Sequence, residues 1–407
     1  MLAQQTVSIN GRLPKIAAAA AIAGALLTVS ALLGPNTLEE GLRSNSSSDG
    51  GKRVNANKSN KSNNNSNHSN NNSNNNISNI SVFAPGEGGF ACWRIPALVR
   101  TAKGSLLAFA EARHANCNDA STQRIGVRRS IDGGKTWSSV NFAAGDSQHF
   151  VGNPYPIALH SGRVVLVYVN VVDNGGKHYE TSGNGLVWSD DDGLTWGAAV
   201  DVSKQFGAAA GSMPGPGAGL QLASGRLLVV LHHGGYEEDF IVYSDDEGLT
   251  WTTQEKTFAK MDEAAMADLG DGEVLLSLRS LAEPVLGRAF ARSHDGGMTW
   301  SEIYHDHTLP GPVCQGSLAA LNKTVFFSEP SGRGRTHLTL HRSDDGSSTW
   351  AAQQVVVEQA TAGYSSMALG IDADRGGLLY EGVAPGSIVY TNFTLDLGYF
   401  ATDEIVV

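Results

Sequence analysis

Seven residues in five separated segments have side chains that could do chemistry together. They are Arg94 in WRIP, Arg113 and Asp119 in AFAEARHANCNDAS, Glu263 and Arg279 in DEAAMADLGDGEVLLSLR, Arg335 in GRTHLTLHRS, and Tyr364 in AGYSSMAL. A guanidinium stays charged and presents a planar fork, so arginines gathered from different segments suit a carboxylate. A phenol has a reference pKa near 10 and needs a base before it can act as a nucleophile, and a carboxylate can be that base or a proton donor. None of these types is distinctive alone. An arginine closing an apolar strand is by default a solvated edge residue, and a loop aspartate is usually only solvated. No His, Cys and Asp spacing here resembles a metal site. His232 and His233, after an apolar run, read as loop or pocket-lining residues, and Cys314 in VCQGSL as a small buried residue.

Residues spread from position 94 to position 364 need a rigid frame, and the chain announces one by repetition. The pattern Ser-x-Asp-x-Gly-x-Thr-Trp occurs as SIDGGKTW at 130–137, SDDDGLTW at 189–196, SDDEGLTW at 244–251, SHDGGMTW at 293–300 and SDDGSSTW at 343–350, the last with Ser347 in place of Gly. Five of the seven tryptophans lie in these boxes, so they hold most of the chain's largest side chains. The physics is that of a hairpin turn: Asp bonds backbone N–H groups a few residues on, Gly takes positive φ, and Thr-Trp opens the next strand with the Trp packed in the core. Five equivalent aspartates read as structural rather than catalytic. Upstream of each box a turn feeds a buried strand: KGSLLAFA from Lys103, SGRVVLVY from Ser161, SGRLLVVL from Ser224, DGEVLLSL from Asp271 and the weaker NKTVFFS from Asn322. The first and fifth boxes begin 213 residues apart, a mean period of about 53, and residues 81–407 hold about six such units. That count suits an all-β, six-bladed propeller of four-stranded blades.

The boxes together with the opening FACWRIPALV resemble the sialidase (neuraminidase) family of glycoside hydrolases over essentially all of 81–407. Boxes alone are insufficient, since propellers carrying them also occur among sorting receptors and other non-enzymes. The resemblance implies an exo-α-sialidase that releases terminal sialic acids with retention and uses no cofactor or metal. Its partners would be sialylated glycoproteins, glycolipids or oligosaccharides. It further implies that Arg94, Arg279 and Arg335 hold the sugar's carboxylate, that Arg113 is the accessory arginine near the acetamido side, and that Tyr364 is the nucleophile with Glu263 as its base. A neutral phenol fits an anionic substrate, which would repel an attacking carboxylate, and sialidases are the tyrosine exception among glycosidases. Asp119 matches the acid/base, on a mobile loop that reads HANCND where relatives are richer in Ser. Glu381 in LLYEG resembles a residue that orients an arginine. The different-class alternative is a non-catalytic glycan-binding or sorting propeller, in which Tyr364, Glu263 or Asp119 should be lost; all three are present. Transfer to another sugar and a preference for deaminated sialic acid stay open within the same chemistry. Because Cys92 lies two residues before Arg94 and Cys117 two before Asp119, a bridge between them would staple the acid/base loop to the first blade; three free buried thiols are the alternative.

Composition sets the remaining bounds. A net charge of −11 without clustered Lys and Arg in the globular part argues against nucleic acid and requires a local pocket of cations for an anionic substrate. Residues 1–43 read as a cytoplasmic or signal segment with an apolar helix at 16–33, preceded by Arg12 and Lys15. Cleaved export signal and type II membrane anchor both remain open, placing the protein in the secretory pathway, membrane-anchored or secreted or lysosomal. Residues 44–80 hold 15 Asn and 10 Ser, read as a disordered linker with several Asn-x-Ser sequons.

Overall fold

The computed structural model describes residues 79–396, apart from 208–210, 234, 282–286 and 352–353. The expected apolar helix, and the Asn/Ser-rich linker up to residue 78, lie outside the described residues. Among the described residues, twenty-five strands form six antiparallel sheets, five of four strands and one of five. Blade 1 is β2 (Cys92–Arg100), β3 (Leu106–Arg113), β4 (Gln123–Ser130) and β5 (Asn141–Ala144). Blades 2, 4 and 5 repeat this meander from β6 (Phe150–Ala158), β15 (Met261–Gly270) and β19 (Ser317–Leu321). In blade 3 the inner strand is split into β10 (Ser212–Pro214) and β11 (Leu220–Gln221), both paired with β12 (Leu227–His233). The last blade is β23 (Ser365–Asp372), β24 (Arg375–Glu381) and β25 (Ile388–Thr394), and its outermost strand comes from the other end of the domain, β1 (Ile80–Phe83). The ring is thereby closed with hydrogen bonds. β1 starts at Ile80, one residue inside the tract assigned to the linker.

The second strand of each of the first five blades is the apolar run recognised upstream of its box, and alternation explains why it is apolar on both faces. In β3, Leu106, Ala108 and Ala110 pack with Leu379, Ile388 and Tyr390 of the last blade, while Leu107 and Phe109 pack with Val164, Leu166 and Tyr168 of the second. Successive side chains point to opposite faces, and each face meets a neighbouring blade.

All five boxes connect the third strand of a blade to its outer strand, and they make the same bonds. In the first, Ser130 Oγ accepts from Gly134 N at 2.8 Å, Asp132 Oδ1 accepts from Thr136 N at 2.9 Å and Asp132 Oδ2 from Thr136 Oγ1 at 2.6 Å. Gly134 has φ of 86°, the left-handed region that glycine enters without strain. Ser347 keeps that conformation, with φ of 71°, and its hydroxyl accepts from Arg292 Nη2 at 2.8 Å, an inter-residue bond that glycine could not make. The last blade has no box because its third and outer strands are not consecutive in sequence. The tryptophans differ from expectation: only Trp251 is buried outright, whereas Trp137, Trp196, Trp300 and Trp350 are half-buried against the core clusters. Three of the five box tryptophans, Trp137, Trp251 and Trp300, donate Nε1 to the box glycine's carbonyl at 3.0 to 3.1 Å, so each ring also closes its own turn.

Box 2 also ties two blades together. Asp192 is buried and accepts from Thr101 Oγ1 at 2.5 Å, Ser105 Oγ at 2.7 Å and Arg129 Nε at 3.1 Å, all three in blade 1. Burial acts against its charge, but these three partners hold its carboxyl below the usual range. Its neighbour Asp191 bonds only within its own turn. Asp192→Ala should therefore cost about 2–4 kcal/mol, because it strands three donors, against about 1 kcal/mol for Asp191→Ala. Urea unfolding of the two variants measures the difference, and equal costs would contradict the inter-blade role.

Candidate active site

The candidate residues occupy equivalent places in different blades. Arg94 is near the start of β2 and Glu263 near the start of β15, both inner strands; Arg279 closes β16 (Glu273–Ser280), a second strand. Asp119 is in the turn between β3 and β4, Arg335 immediately precedes β21 (Thr336–Ser343), and Tyr364 immediately precedes β23. In an antiparallel meander these are all one end of the ring. The boxes, at the far ends of the third strands, lie at the other.

A backbone irregularity lets two consecutive carboxylates serve one arginine. Asp262 faces Arg279 in the β15–β16 register, a bulge follows, and Glu263 has φ of 45°. In a regular strand Asp262 and Glu263 would point to opposite faces; the bulge re-aims Glu263. Arg279 Nε and Nη2 donate to the two Asp262 oxygens at 2.6 and 2.7 Å, and its Nη1 lies 2.5 Å from Glu263 Oε2, an ion pair without hydrogen-bond alignment. The other Glu263 oxygen accepts from Tyr364 Oη at 2.5 Å. Similar bulges with positive φ occur at Ile95 in β2 and Asn153 in β6, so three inner strands bend where they meet the cleft.

Three guanidinium groups surround Tyr364. Arg279 Nη1 is 3.4 Å from its hydroxyl, and the Arg94 and Arg335 groups lie over its ring at 5.4 and 5.1 Å. Arg94 is oriented by Glu381, which accepts from its Nε at 2.9 Å and also from the backbone N–H groups of Ile95 and Tyr364, joining the first and last blades. Arg94 Nη1 also donates to Asp119 Oδ1 at 3.0 Å, and Arg113 Nη1 donates to the same oxygen at 2.8 Å. Among the described residues no carboxylate pairs with Arg335. Arg333, two residues away, is exposed.

Burial dominates the titration of this cluster. It pushes the Glu263 carboxyl up to about 7, with Arg279 opposing and Asp262 adding to the rise. It also raises the Tyr364 phenol well above its ordinary value, with the neighbouring Glu263 charge acting in the same direction. The resting pair is therefore a neutral phenol donating to a carboxyl poised near neutrality. His232 is not in a loop or on the cleft wall: it lies within β12, stacks on Tyr236 with ring centroids 5.2 Å apart, and burial lowers its pKa to about 3, so it stays neutral. His233 is also within that strand, 3.6 Å from Glu238.

The cleft is lined by Arg113, Asp119, Glu263 and Tyr364 together with Ile95, Asn153, Tyr179, Met213, Pro216 and Tyr236. The structure thus brings together Arg94, Arg113, Asp119, Glu263, Arg279, Arg335 and Tyr364. Two supporting carboxylates were not read from the sequence. Asp262 was hidden by adjacency to Glu263, since strand alternation would separate them. Glu111, which accepts from Arg113 Nε at 2.9 Å and Nη2 at 2.6 Å, had an available signal: it sits two residues before Arg113, on the same face of a strand. Cys92 and Cys117 form a disulfide with Cα atoms 5.2 Å apart, and Cys314 is a buried free thiol. Among the described residues no group of three or more His, Cys, Asp or Glu could hold a metal.

Residues 104–378 match the family model described as a BNR repeat-like domain. The chain belongs to that family. Curated relatives of this BNR-repeat propeller include a sialidase of Bacteroides fragilis, 29% identical over 73% of this chain and 61% of the relative. A sialidase of Micromonospora viridifaciens is 30% identical over 76% of this chain and 52% of the relative. The chain thus spans between half and two thirds of the length of these relatives. The solved structure of a Hadza microbial sialidase superposes with a TM-score of 0.71 at 27% identity, covering 78% of this chain and 68% of that one. The BNR-repeat domain is accordingly a six-bladed propeller similar in fold to that sialidase.

The raised Glu263 carboxyl carries a stability consequence. Below the unfolded value of about 4.5 both states hold the proton; between there and about 7 only the folded state does, so folded stability falls as pH rises through that window. Glu263→Gln removes the titration. Its stability relative to the parent protein should rise between pH 5 and pH 8 by up to about 3 kcal/mol. Thermal unfolding across this range measures it, and a pH-independent difference would contradict a Glu263 that keeps its proton near neutrality.

Proposed function

We propose that this protein is an exo-α-sialidase that releases terminal sialic acids from glycoproteins, glycolipids or oligosaccharides with retention, through a sialyl-tyrosine intermediate. The observation that carries this reading is the 2.5 Å hydrogen bond from Tyr364 Oη to buried Glu263, within a ring of three guanidinium groups. Cations around a phenol favour a substrate whose reacting carbon bears a carboxylate, and they favour the phenolate that forms in the reaction. The reading is supported further by relatives named sialidases.

In this scheme the sugar's carboxylate takes Arg335, Arg279 and Arg94. Engagement of Arg94 competes with its ion pair to Asp119, so substrate binding releases that side chain toward the glycosidic oxygen. Tyr364 Oη then attacks the anomeric carbon while Glu263 accepts the phenolic proton, and Asp119 gives its proton to the departing oxygen as the glycosidic bond breaks. In the second half Asp119 removes a proton from water, the water oxygen attacks the anomeric carbon, the bond to Tyr364 breaks and Glu263 returns the proton. Atoms and charge balance over the two steps. The net negative charge of the chain leaves substrate capture to this local cluster.

Tyr364→Phe should lower turnover by about three orders of magnitude or more while leaving the affinity for free sialic acid within about threefold. Arg279→Ala should weaken that affinity as well, by about tenfold or more, since a charge-assisted bond is lost throughout the cycle. Steady-state assays on a fluorogenic sialoside and calorimetric titration with sialic acid separate the two. Comparable turnover by Tyr364→Phe and the parent would exclude the phenol as nucleophile.

A further inference from the structure

Asp119 stands on a stretch, residues 114–122, that contains no strand and is mostly exposed. Several of its hydrogen bonds close it on itself: His114 N to Thr122 O at 3.0 Å, Ser121 N to Asn118 O at 3.0 Å and Ala115 N to Ser121 Oγ at 3.2 Å. It is joined to the propeller through the Asp119 carboxylate on Arg94 and Arg113, through the Cys117 carbonyl on Arg113 Nη1 at 2.5 Å, through the His114 ring on Phe90, and through the disulfide to Cys92. Both Asp119 ion pairs need that side chain ionised, and the one to Arg94 also needs Arg94 free. A proton donor by definition has lost its negative charge, and a substrate carboxylate on Arg94 competes for one of its two partners. The ion pairs that place Asp119 at rest are therefore weakened at the moment it must act. The Cys117 carbonyl on Arg113, the His114 ring on Phe90 and the disulfide do not depend on that charge, and of these only the disulfide is covalent.

The bridge is also seated. Cys92 opens the inner strand that carries Arg94 two residues later, and its register partner is Arg113, the residue that leads into the loop. On its outer side is Gly386, in the turn between the second and third strands of the last blade, with its carbonyl accepting from Trp93 N at 3.0 Å. A Cβ at Gly386 would come within 2.9 Å of Cys92 Sγ and 3.3 Å of Cys117 Sγ, so only glycine fits against the sulfurs without a shift. The two sulfurs are thus held between the first blade, the last blade and the loop.

We propose that the Cys92–Cys117 disulfide is the positioning element of the acid: it holds Asp119 over the glycosidic oxygen whatever the charge on Asp119 or the occupant of Arg94. The inference rests on the sialidase reading of the cleft. It assigns the bridge to one half of the chemistry, protonation of the leaving group, and leaves carboxylate binding and the Tyr364–Glu263 pair untouched. Its signature is a dependence on the leaving group. An aryl sialoside departs with little protonic help, whereas the glycosidic oxygen of sialyllactose needs it, so loss of a positioned acid separates the two substrates.

The test uses the full chain in three forms: oxidised parent, Cys92→Ala/Cys117→Ala, and parent reduced with a phosphine and then reoxidised. Each is assayed on a methylumbelliferyl sialoside and on sialyllactose, with Asp119→Ala as the reference for a missing acid. The expected result is a fall in kcat on sialyllactose of about 10²-fold, a fall of less than about threefold on the aryl sialoside, and recovery on reoxidation. Sialic acid affinity should stay within about threefold. Equal losses on both substrates would overturn the proposal in favour of a merely structural bridge, and no loss on either would show the bridge dispensable. The reduced parent keeps the test meaningful where the double variant fails to fold. Failure of the sialidase reading is distinguishable, because then the oxidised parent turns over neither substrate.

Discussion

Arg279 is 7% exposed, and a guanidinium taken out of water to that degree is tolerated only if its charge is met by carboxylates in good geometry, a condition from which much of the cleft follows. Asp262, wholly buried, takes two of its nitrogens, and that fixes the plane in which the third can reach Glu263. Glu263 in turn can be reached only because the inner strand bulges there. Once Glu263 is placed, its remaining oxygen fixes the Tyr364 hydroxyl, and Glu381 fixes the Tyr364 backbone and Arg94 together. The order of dependence runs from a desolvated cation outward, with each carboxylate satisfying one group and orienting the next.

The bulges deserve to be seen as a set. Ile95, Asn153 and Glu263 are ordinary L residues held at positive φ, a conformation that costs of order 1 kcal/mol or more at each site and persists only where surrounding structure determines it. All three line the cleft, and the inner strand of blade 3 is interrupted between Pro214 and Leu220 beside Pro216, which lines it too. The hairpins at the other end of the ring use the same region of φ, mostly through glycine, but also through Asp192, Glu247, Asp271, Asn322 and Ser347. What sets the cleft end apart is that Ile95, Asn153 and Glu263 sit at bulges within inner strands rather than in turns.

The fold was legible in the sequence because its signals are local. A box closes its own hydrogen bonds within eight residues, and each second strand is apolar on both faces because neighbouring blades cover both, so period and strand could be read without knowing the tertiary structure. The site was legible only through resemblance, since Arg94, Glu263, Arg279, Arg335 and Tyr364 come from four blades and no spacing between them is constrained by chain geometry. Asp262 escaped because a bulge without glycine leaves no mark in composition. Glu111 escaped although strand alternation placed it beside Arg113. The half-buried box tryptophans show the limit of assigning burial from residue type: each box is a turn at the edge of a blade, so a ring beside it packs against the core on one side only.

Closure of the ring by β1 fixes how the propeller can be carried. Residues 80 and 83 pair with Tyr390 and Ile388 of the third strand of the last blade, and that strand begins beside the disulfide and runs away from the cleft. Followed backwards from Phe83 to Ile80, the polypeptide therefore heads toward the far end of the ring, and β25 heads the same way as it runs to Thr394. Both ends of the blade-forming chain leave through the floor. Neither Ile80 nor Thr394 therefore stands at the mouth, and the rim of the cleft is built from loops internal to the blades.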